Sequence, residues 1–326
     1  MKLQNQVLDI LQNACDYRSG EQIAQQLRVS RNSVWKAINT LKKHGYIIDA
    51  VRNKGYRLSA QSDVISPQAI LPLLRSDGLT WSIQHLSNVG STNDTIRQLA
   101  EQCAPEGTVI IAEEQTKGKG RMNRTFYSPK HAGIYMSLLL RPKIPLQQAT
   151  FITTAAAVAA AQAIQSVTGA KVGIKWVNDL YYNNKKICGI LTEAAIDIES
   201  GGLRYAILGI GINISPPQDG FPENLRTIAG SLLQQPGANK VRVKIIAAFL
   251  NRFGSYYSHL SDKTFMPEYR ARSIVLGKQV QVLLKDGPKP ALVTDIDDHA
   301  NLHVQYADGS NQVLASGEIS IRLGEI

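Results

Sequence analysis

Four cations define the chemistry this chain could do. Lys119, Arg121 and Arg124 crowd around Gly118 and Gly120 in the stretch GKGRMNRTFYSP (118–129), and Lys175 stands in KVGIKWVND (171–179). Fixed positive charges of this kind suit phosphate oxygens. The glycines let the backbone approach a ligand closely and take dihedrals closed to other residues. The order differs from G-x-x-x-x-G-K-[ST], and no G-x-G-x-x-G follows a strand, so neither common nucleotide fingerprint applies. Taken alone, a glycine-basic loop also fits a plain surface turn.

The elements around these cations narrow the reading. EGTVIIAEEQ places a buried-type strand at Thr108–Ala112, directly before the loop. In KVGIKWVNDLYYNNKKICGILTEAA (171–195), Lys175 ends a strand beside Trp176 and a turn at Asn178-Asp179; a hairpin over Asn183-Asn184 and a second apolar strand follow. YAILGIGINIS (205–215) is a further strand, with Gly209 and Gly211 inside it and Asn213 at its end. A lysine on an apolar strand is costly to bury without a negative partner. GGLR (201–204) reads as a hairpin turn, and FITTAAAVAAAQAI (151–164) as an alanine-rich core helix too short to span a bilayer. In VKIIAAFLNRFGSYYSHL (243–260), Ile246, Phe249, Leu250 and Phe253 share one helical face. From Val275 the pattern turns to short strands. Val280, Val282, Leu292, Ile296, Leu302, Val304 and Val313 alternate around Asp286-Gly287 and Asp308-Gly309, which predicts a small antiparallel barrel.

At 326 residues, with 44% hydrophobic and 19% charged, the chain has the composition of a globular protein of two or three domains. MKLQNQVLDI lacks the apolar run of a signal peptide. Cys15, Cys103 and Cys188 are odd in number and scattered, which argues for a reducing compartment, and the six histidines show no metal-ligand spacing. The net charge of +10 is uneven: residues 1–61 hold ten Lys/Arg against four acids. Helical periodicity organises this basic segment. Leu3, Val7, Leu8 and Leu11 mark a first helix, Ser19 caps a second, and Ser30 caps a third that ends at His44-Gly45. On the third, Val34, Ile38 and Leu41 point inward while Arg31, Asn32, Ser33, Lys36 and Asn39 point out. A basic hairpin around Asn53-Lys54-Gly55 completes a winged helix-turn-helix, with the third helix facing base edges and Lys54 facing phosphates. A three-helix protein-binding bundle is the plainer alternative. SPQAILPLL (66–74) follows as a linker and helix start.

Beyond these features, the sequence resembles the biotin–protein ligases of the bifunctional kind that also repress biotin genes. GSTND (90–94), the run from Gln115 to Arg124, KWVNDLY, KKICGILTE, GIGINIS and the C-terminal SGEISIR all match, over nearly the whole chain. Two positions depart: Lys119 stands where the family's loop has its first arginine, and Val177 where it has proline. Lysine keeps the charge but lacks the planar fork.

The resemblance implies an α+β multidomain chain. Residues 1–62 form the winged helix-turn-helix, 66–272 a class II synthetase-like mixed sheet with helices, and 273–326 an SH3-like β-barrel. It implies that ATP and biotin, with Mg²⁺ carried by the ATP, give biotinyl-5′-adenylate, whose biotin passes to a lysine of a biotin carboxyl carrier protein or similar acceptor domain. Lys175 and Arg121 would serve catalysis. Ser91, Thr92, Asn93, Gln115, Lys119, Gly120, Arg121 and Lys175 would hold biotin; Gly118, Arg124, Phe126 and Asn213 would hold the nucleotide. No protein-held metal site is expected. A cytoplasmic protein with no membrane partner is implied, binding operator DNA through Arg31, Asn32, Ser33, Lys36 and Lys54, and a homodimer when adenylate-bound. Plainer roles compete: Ser91 as the cap of a helix over Thr92–Ala100, Phe126 and Tyr127 as core aromatics, Asn213 as a turn residue, Trp176 as packing. Two other functions also stay open, a biotin-sensing repressor without ligase activity and a lipoate–protein ligase.

Overall fold

A computed structural model describes residues 3–12, 14, 16–43, 46–59, 62–76, 78–197, 202–235, 240–284, 287–315 and 319–320. The expected helix end at His44-Gly45, Cys15, Gly201, Asp286 and most of SGEISIR lie outside them. The chain divides into two compact units, Met1–Leu74 with Gly237–Ala247, and Arg75–Pro236 with Ala248–Ile326.

The first unit is a winged helix. Its helices are α1 (Leu3–Gln12), α2 (Gly20–Leu27) and α3 (Arg31–Lys43); β1 (Ile48–Val51) and β2 (Gly55–Leu58) pair antiparallel. Ser19 caps α2 through a reciprocal capping box with Gln22, and the Ser30 hydroxyl accepts the Ser33 N–H at 3.1 Å. Val7, Leu8, Leu11, Ile23, Val34, Ile38 and Leu41 form the core. Arg18 and Tyr56 exchange backbone hydrogen bonds, both 2.8 Å, tying the chain before α2 to the wing. Only glycine fits at 55, where φ is +107° and a Cβ would sit 2.2 Å from the Arg18 carbonyl. The unit continues past the wing through a short α4 (Pro67–Ile70), capped by Ser66. The reason it also takes in the start of α7 (Val241–Tyr257) is a buried ion pair. Arg242 Nε donates to Asp63 Oδ2 at 3.0 Å and its backbone N–H to Oδ1 at 3.1 Å.

The second unit is built on a seven-stranded mixed sheet. In chain order its elements are β3 (Ser82–Leu86), α5 (Thr92–Glu101), β4 (Thr108–Ala112), β5 (Gly133–Leu140), α6 (Thr150–Thr168), β6 (Gly173–Lys175), β7 (Asp179–Tyr182), β8 (Lys185–Ile196) and β9 (Leu203–Asn213). The strands lie in the order β3-β4-β5-β9-β8-β7-β6, and all neighbours are antiparallel except β3 and β4. Helix α5 packs Ile96 and Ala100 on the sheet against Ile110, Leu139 and Ile207. Helix α6 is buried almost all round, so its apolar composition reflects a core position. Among the described residues, Leu146–Thr168 is the helical stretch long and apolar enough to cross a membrane, and 72% of its apolar window is buried. The Asn183-Asn184 turn has φ of +48° and +58°, as a two-residue hairpin requires.

After α7 and α8 (Met266–Ala271), five strands form the C-terminal sheet: β10 (Gln279–Leu284), β11 (Gly287–Ile296), β12 (Leu302–Tyr306), β13 (Asn311–Leu314) and β14 (Ile319–Ser320). They are antiparallel, in the order β13-β12-β11-β10-β14. Two expected inward residues turn out otherwise. Val313 is 53% exposed and Leu314 is buried, because Leu314 pairs with the buried Leu302 while Val313 pairs with His303. Leu292 is only half-buried, and Ala291 and Val293 point in; a bulge between Val293 and Asp295 then returns Ile296 to the core.

Candidate active site

The mixed sheet of the second unit carries a cavity of about 750 Å³ between the 118–129 loop and the strands β8 and β9, a size suited to a cofactor-scale ligand. Ser91, Thr92, Asn93, Gln115, Lys119, Gly120, Arg121, Arg124, Phe126, Lys175 and Asn213 all line it. Gly118 is the exception. It is buried in the base of the loop, where a Cβ would lie 2.3 Å from the Phe126 carbonyl.

The loop is an ordered hairpin and not a slack turn. Gly120 N–H donates to the Arg124 carbonyl at 2.7 Å, and Phe126 N–H to the Gly118 carbonyl at 2.9 Å. Its left-handed residues are Met122 (φ +53°) and Asn123 (φ +58°), whereas Gly120 is extended. The glycines therefore serve close approach and not unusual dihedrals. Arg121 Nη1 donates to Asn178 Oδ1 at 3.1 Å, and Lys119 Nζ donates to Asp94 Oδ1 at 2.5 Å. These contacts tie the loop to the Asn178-Asp179 turn and to α5.

One end of the cavity is a neutral, wired polar corner. Thr92 donates to Gln115 Oε1 from both its backbone N–H (2.8 Å) and its hydroxyl (3.0 Å). Gln115 Nε2 donates to Ser128 Oγ at 2.9 Å. Ser137 Oγ donates to Asn93 Oδ1 at 2.5 Å and lies 2.7 Å from Thr92 Oγ1. Gly209 is required beside this corner, since a Cβ there would meet Asn93 Oδ1 at 2.2 Å. Ser91 occupies the N-cap position of α5, but its side chain makes no capping bond, which corrects the expectation. The N–H of Thr92, the first helical residue, goes to Gln115 Oε1.

The other end is cationic and aromatic. Phe126 lies against Gly189 and Gly211, which face each other across β8 and β9, and meets Tyr135 edge-on at 6.4 Å. Phe126 is thus a half-exposed cavity wall and not a core aromatic. Asn213 Nδ2 donates to the Gly230 carbonyl at 3.1 Å while lining the cavity. Lys175 Nζ stands 5.9 Å from the Tyr181 ring centroid.

Two charged lining residues, Asp179 and Lys186, escaped the sequence reading. Asp179, read only as a turn residue, pairs across the β6–β7 hairpin with Lys175 and forms a 2.7 Å ion pair with Lys186. The signal was present in KWVND and KKICGIL, but nothing in the spacing showed that both side chains turn to one cavity. Asp179 is the single acid among the described lining residues, against Lys119, Arg121, Arg124, Lys175 and Lys186.

The turn carrying these groups is held from behind. Trp176 Nε1 donates to the Ala300 carbonyl at 2.8 Å, and the Tyr269 hydroxyl donates to the Val177 carbonyl at 3.0 Å. The Trp176–Val177 peptide is cis. Burial, with Asp179 nearby, pushes the Tyr269 hydroxyl well up, so it stays a donor. Burial likewise pushes the Cys188 thiol up and leaves it inert.

In the first unit, Arg31, Asn32 and Lys36 project outward from α3, Ser33 is half-buried, and Lys54 sits exposed at the wing turn. Trp35, 54% exposed on α3, was not anticipated.

Residues 87–213 match the Biotin/lipoate A/B protein ligase family, residues 3–57 an HTH domain and residues 275–322 the biotin protein ligase C-terminal domain. The solved biotin protein ligase of Aquifex aeolicus, in complex with biotin and ATP, is similar at a TM-score of 0.60 and 26% identity, over 74% of this chain and 98% of that one. Fold and cavity are thus of the biotin/lipoate ligase class. Within that class, the chain belongs to the bifunctional ligase/repressor family. BirA of Bacillus spizizenii is 36% identical over 94% of each chain, and BirA of Escherichia coli 29% identical over 95% of this chain and 94% of its own.

Proposed function

We propose that this chain joins biotin to ATP in the cavity, holds the biotinyl-5′-adenylate, and passes biotin to a lysine of an acceptor protein. One observation carries the reading: a single cavity is lined by five cations against one described acid and also by the hydrogen-bonded corner of Thr92, Asn93 and Gln115. The first step brings the biotin carboxylate up to the α-phosphate of ATP, two anions that must be neutralised together. Lys175 and Arg121 supply charge, and Lys186, freed from Asp179 by an incoming phosphate, adds to it. Attack by the carboxylate oxygen forms the acyl–phosphate bond and expels pyrophosphate; the acceptor amine then takes the acyl carbon and expels AMP.

The neutral corner suits a ureido ring. Gln115, with its oxygen twice occupied by Thr92, offers N–H to a ligand, while Asn93 offers oxygen. Phe126 against the glycine platform suits adenine, with Arg124 and Asn213 on the phosphate and sugar side. Among the described residues no group of three or more His, Cys, Asp or Glu could hold a metal. Magnesium arriving on ATP needs only one or two protein carboxylates, and Asp179 fits that need; the ion would neutralise the departing pyrophosphate.

In this reading residues 1–62 bind operator DNA, 66–272 perform the chemistry, and 273–326 brace it. Lys54 and the outer face of α3 meet the duplex, in the cytoplasm, as a homodimer formed when adenylate is bound. The test is incubation with ATP, biotin and a purified biotin-acceptor domain. Pyrophosphate release and a biotinylated acceptor lysine are expected. Equal use of lipoate would favour the lipoate reading, and biotin binding without transfer would favour a sensor that does not ligate.

A further inference from the structure

We propose that Glu193 is a positioning residue that sets which way the Asn93 amide faces, and so makes the polar corner select a ureido N–H over an oxygen. The inference rests on reading that corner as the biotin subsite. Asn93 is 4% exposed, and its Nδ2 donates to Glu193 Oε2 at 2.6 Å. The other carboxylate oxygen, Oε1, accepts from Arg97 Nη2 at 2.6 Å, and Arg97 Nη1 donates to Asp94 Oδ1 at 2.8 Å. Asp94 also receives Lys119 of the loop. An unbroken run of alternating charges therefore links the loop to the cavity: Lys119, Asp94, Arg97, Glu193, then Asn93.

The chemistry of the donors fixes the orientation. Arg97 and the Asn93 amide both donate, and a carboxylate accepts from both at once. The Asn93 oxygen is thereby turned to Ser137 and to Gly209 of the cavity wall, where it can accept an N–H but repels another oxygen. A glutamine at 193 has one oxygen and one NH₂. Arg97 can only donate, and its charged bond is the stronger, so the glutamine oxygen goes to Arg97. Its NH₂ then faces Asn93 and forces that amide to turn over, bringing a donor into the cavity.

Calorimetric titration of the full chain tests this. The probes are biotin and its two cyclic carbamate analogues, each with one ureido N–H replaced by oxygen. The wild type should disfavour one carbamate by roughly 10- to 100-fold relative to biotin, the range of a mismatched buried hydrogen bond. Glu193→Gln should bind biotin more weakly and narrow that preference to within about threefold, with ATP affinity kept. Glu193→Asp, which keeps an acceptor-only carboxylate, should weaken binding but keep the preference, and it serves if the glutamine variant does not fold. A Glu193→Gln protein with undiminished discrimination, or a Glu193→Asp protein that loses it, overturns the proposal alone. If Asn93→Ala leaves biotin affinity unchanged, the subsite reading fails and the proposal falls with it.

Discussion

Lys186 Nζ and Asp179 Oδ1 meet in a 2.7 Å ion pair at the cavity wall. A phosphate oxygen entering the cavity offers Lys186 the same charge-assisted contact that Asp179 gives it. Asp179 is also the register partner of Lys175 across the hairpin, so the acid paired with Lys186 sits on the strand next to the one that carries Lys175.

Both lysines should matter to adenylation. Lys175→Ala and Lys186→Met are each expected to slow pyrophosphate release by roughly 10²- to 10³-fold, the cost of one preorganised charge. Unchanged circular dichroism would show the fold intact. A near-normal rate for either variant would remove that lysine from the reaction.

In the proposed reaction Arg121, docked on Asn178, would clamp the phosphate more than drive its transfer. Arg121→Gly should make adenylate that escapes, labelling lysines on unrelated proteins added to the reaction. Labelling confined to the acceptor domain would deny Arg121 this role.

The loop between β11 and β12, which holds Trp176 through Ala300, has its own acid–base signature. Burial works to raise the Asp297 carboxyl, but hydrogen bonds from Asn301, His303 and the His299 backbone outweigh it and hold the group at about 2. A depressed carboxyl stabilises the fold above its unfolded pKa and loses that stabilisation as pH falls through its folded value. Asp297→Asn should therefore cost on the order of 2 kcal/mol at pH 7. The gap in melting temperature to the wild type should close between about pH 4 and pH 2. An equal gap at both ends of that range would show that the charge is not what matters. The same loop carries Ala300, whose carbonyl holds Trp176, so adenylation should slow as well.

Repression should follow the adenylate. One helix-turn-helix reads a short half-site, so specific operator binding needs two copies related by symmetry. Footprinting on DNA upstream of biotin-synthesis genes should show protection that rises with biotin plus ATP and falls when an unbiotinylated acceptor consumes the adenylate. Equal protection with and without the two substrates would separate DNA binding from ligand.

Much of this architecture was legible in the sequence, because periodicity and turn chemistry are local. Ser19 and Ser30 marked the helix-turn-helix, and Asn183-Asn184 the hairpin. What could not be read depended on contacts far apart in the chain. Nothing near Asp63 announces its buried pairing with Arg242. The turn to Val313 outward was hidden by a register that only pairing with His303 sets. Within the site, Lys175 stood out at the end of an apolar strand, while nothing in KKICGIL marks Lys186, which the β7–β8 pairing brings over Gly189.

The central claim is that the cavity makes biotinyl-adenylate and keeps it. The most direct measurement mixes the protein with biotin and α-³²P-labelled ATP, omits any acceptor, and passes the mixture through gel filtration. Label should travel with the protein at about one adenylate per chain, only when both substrates are present, and should leave as AMP on addition of an acceptor domain. Label retained without biotin, or none retained from the complete mixture, would contradict the account.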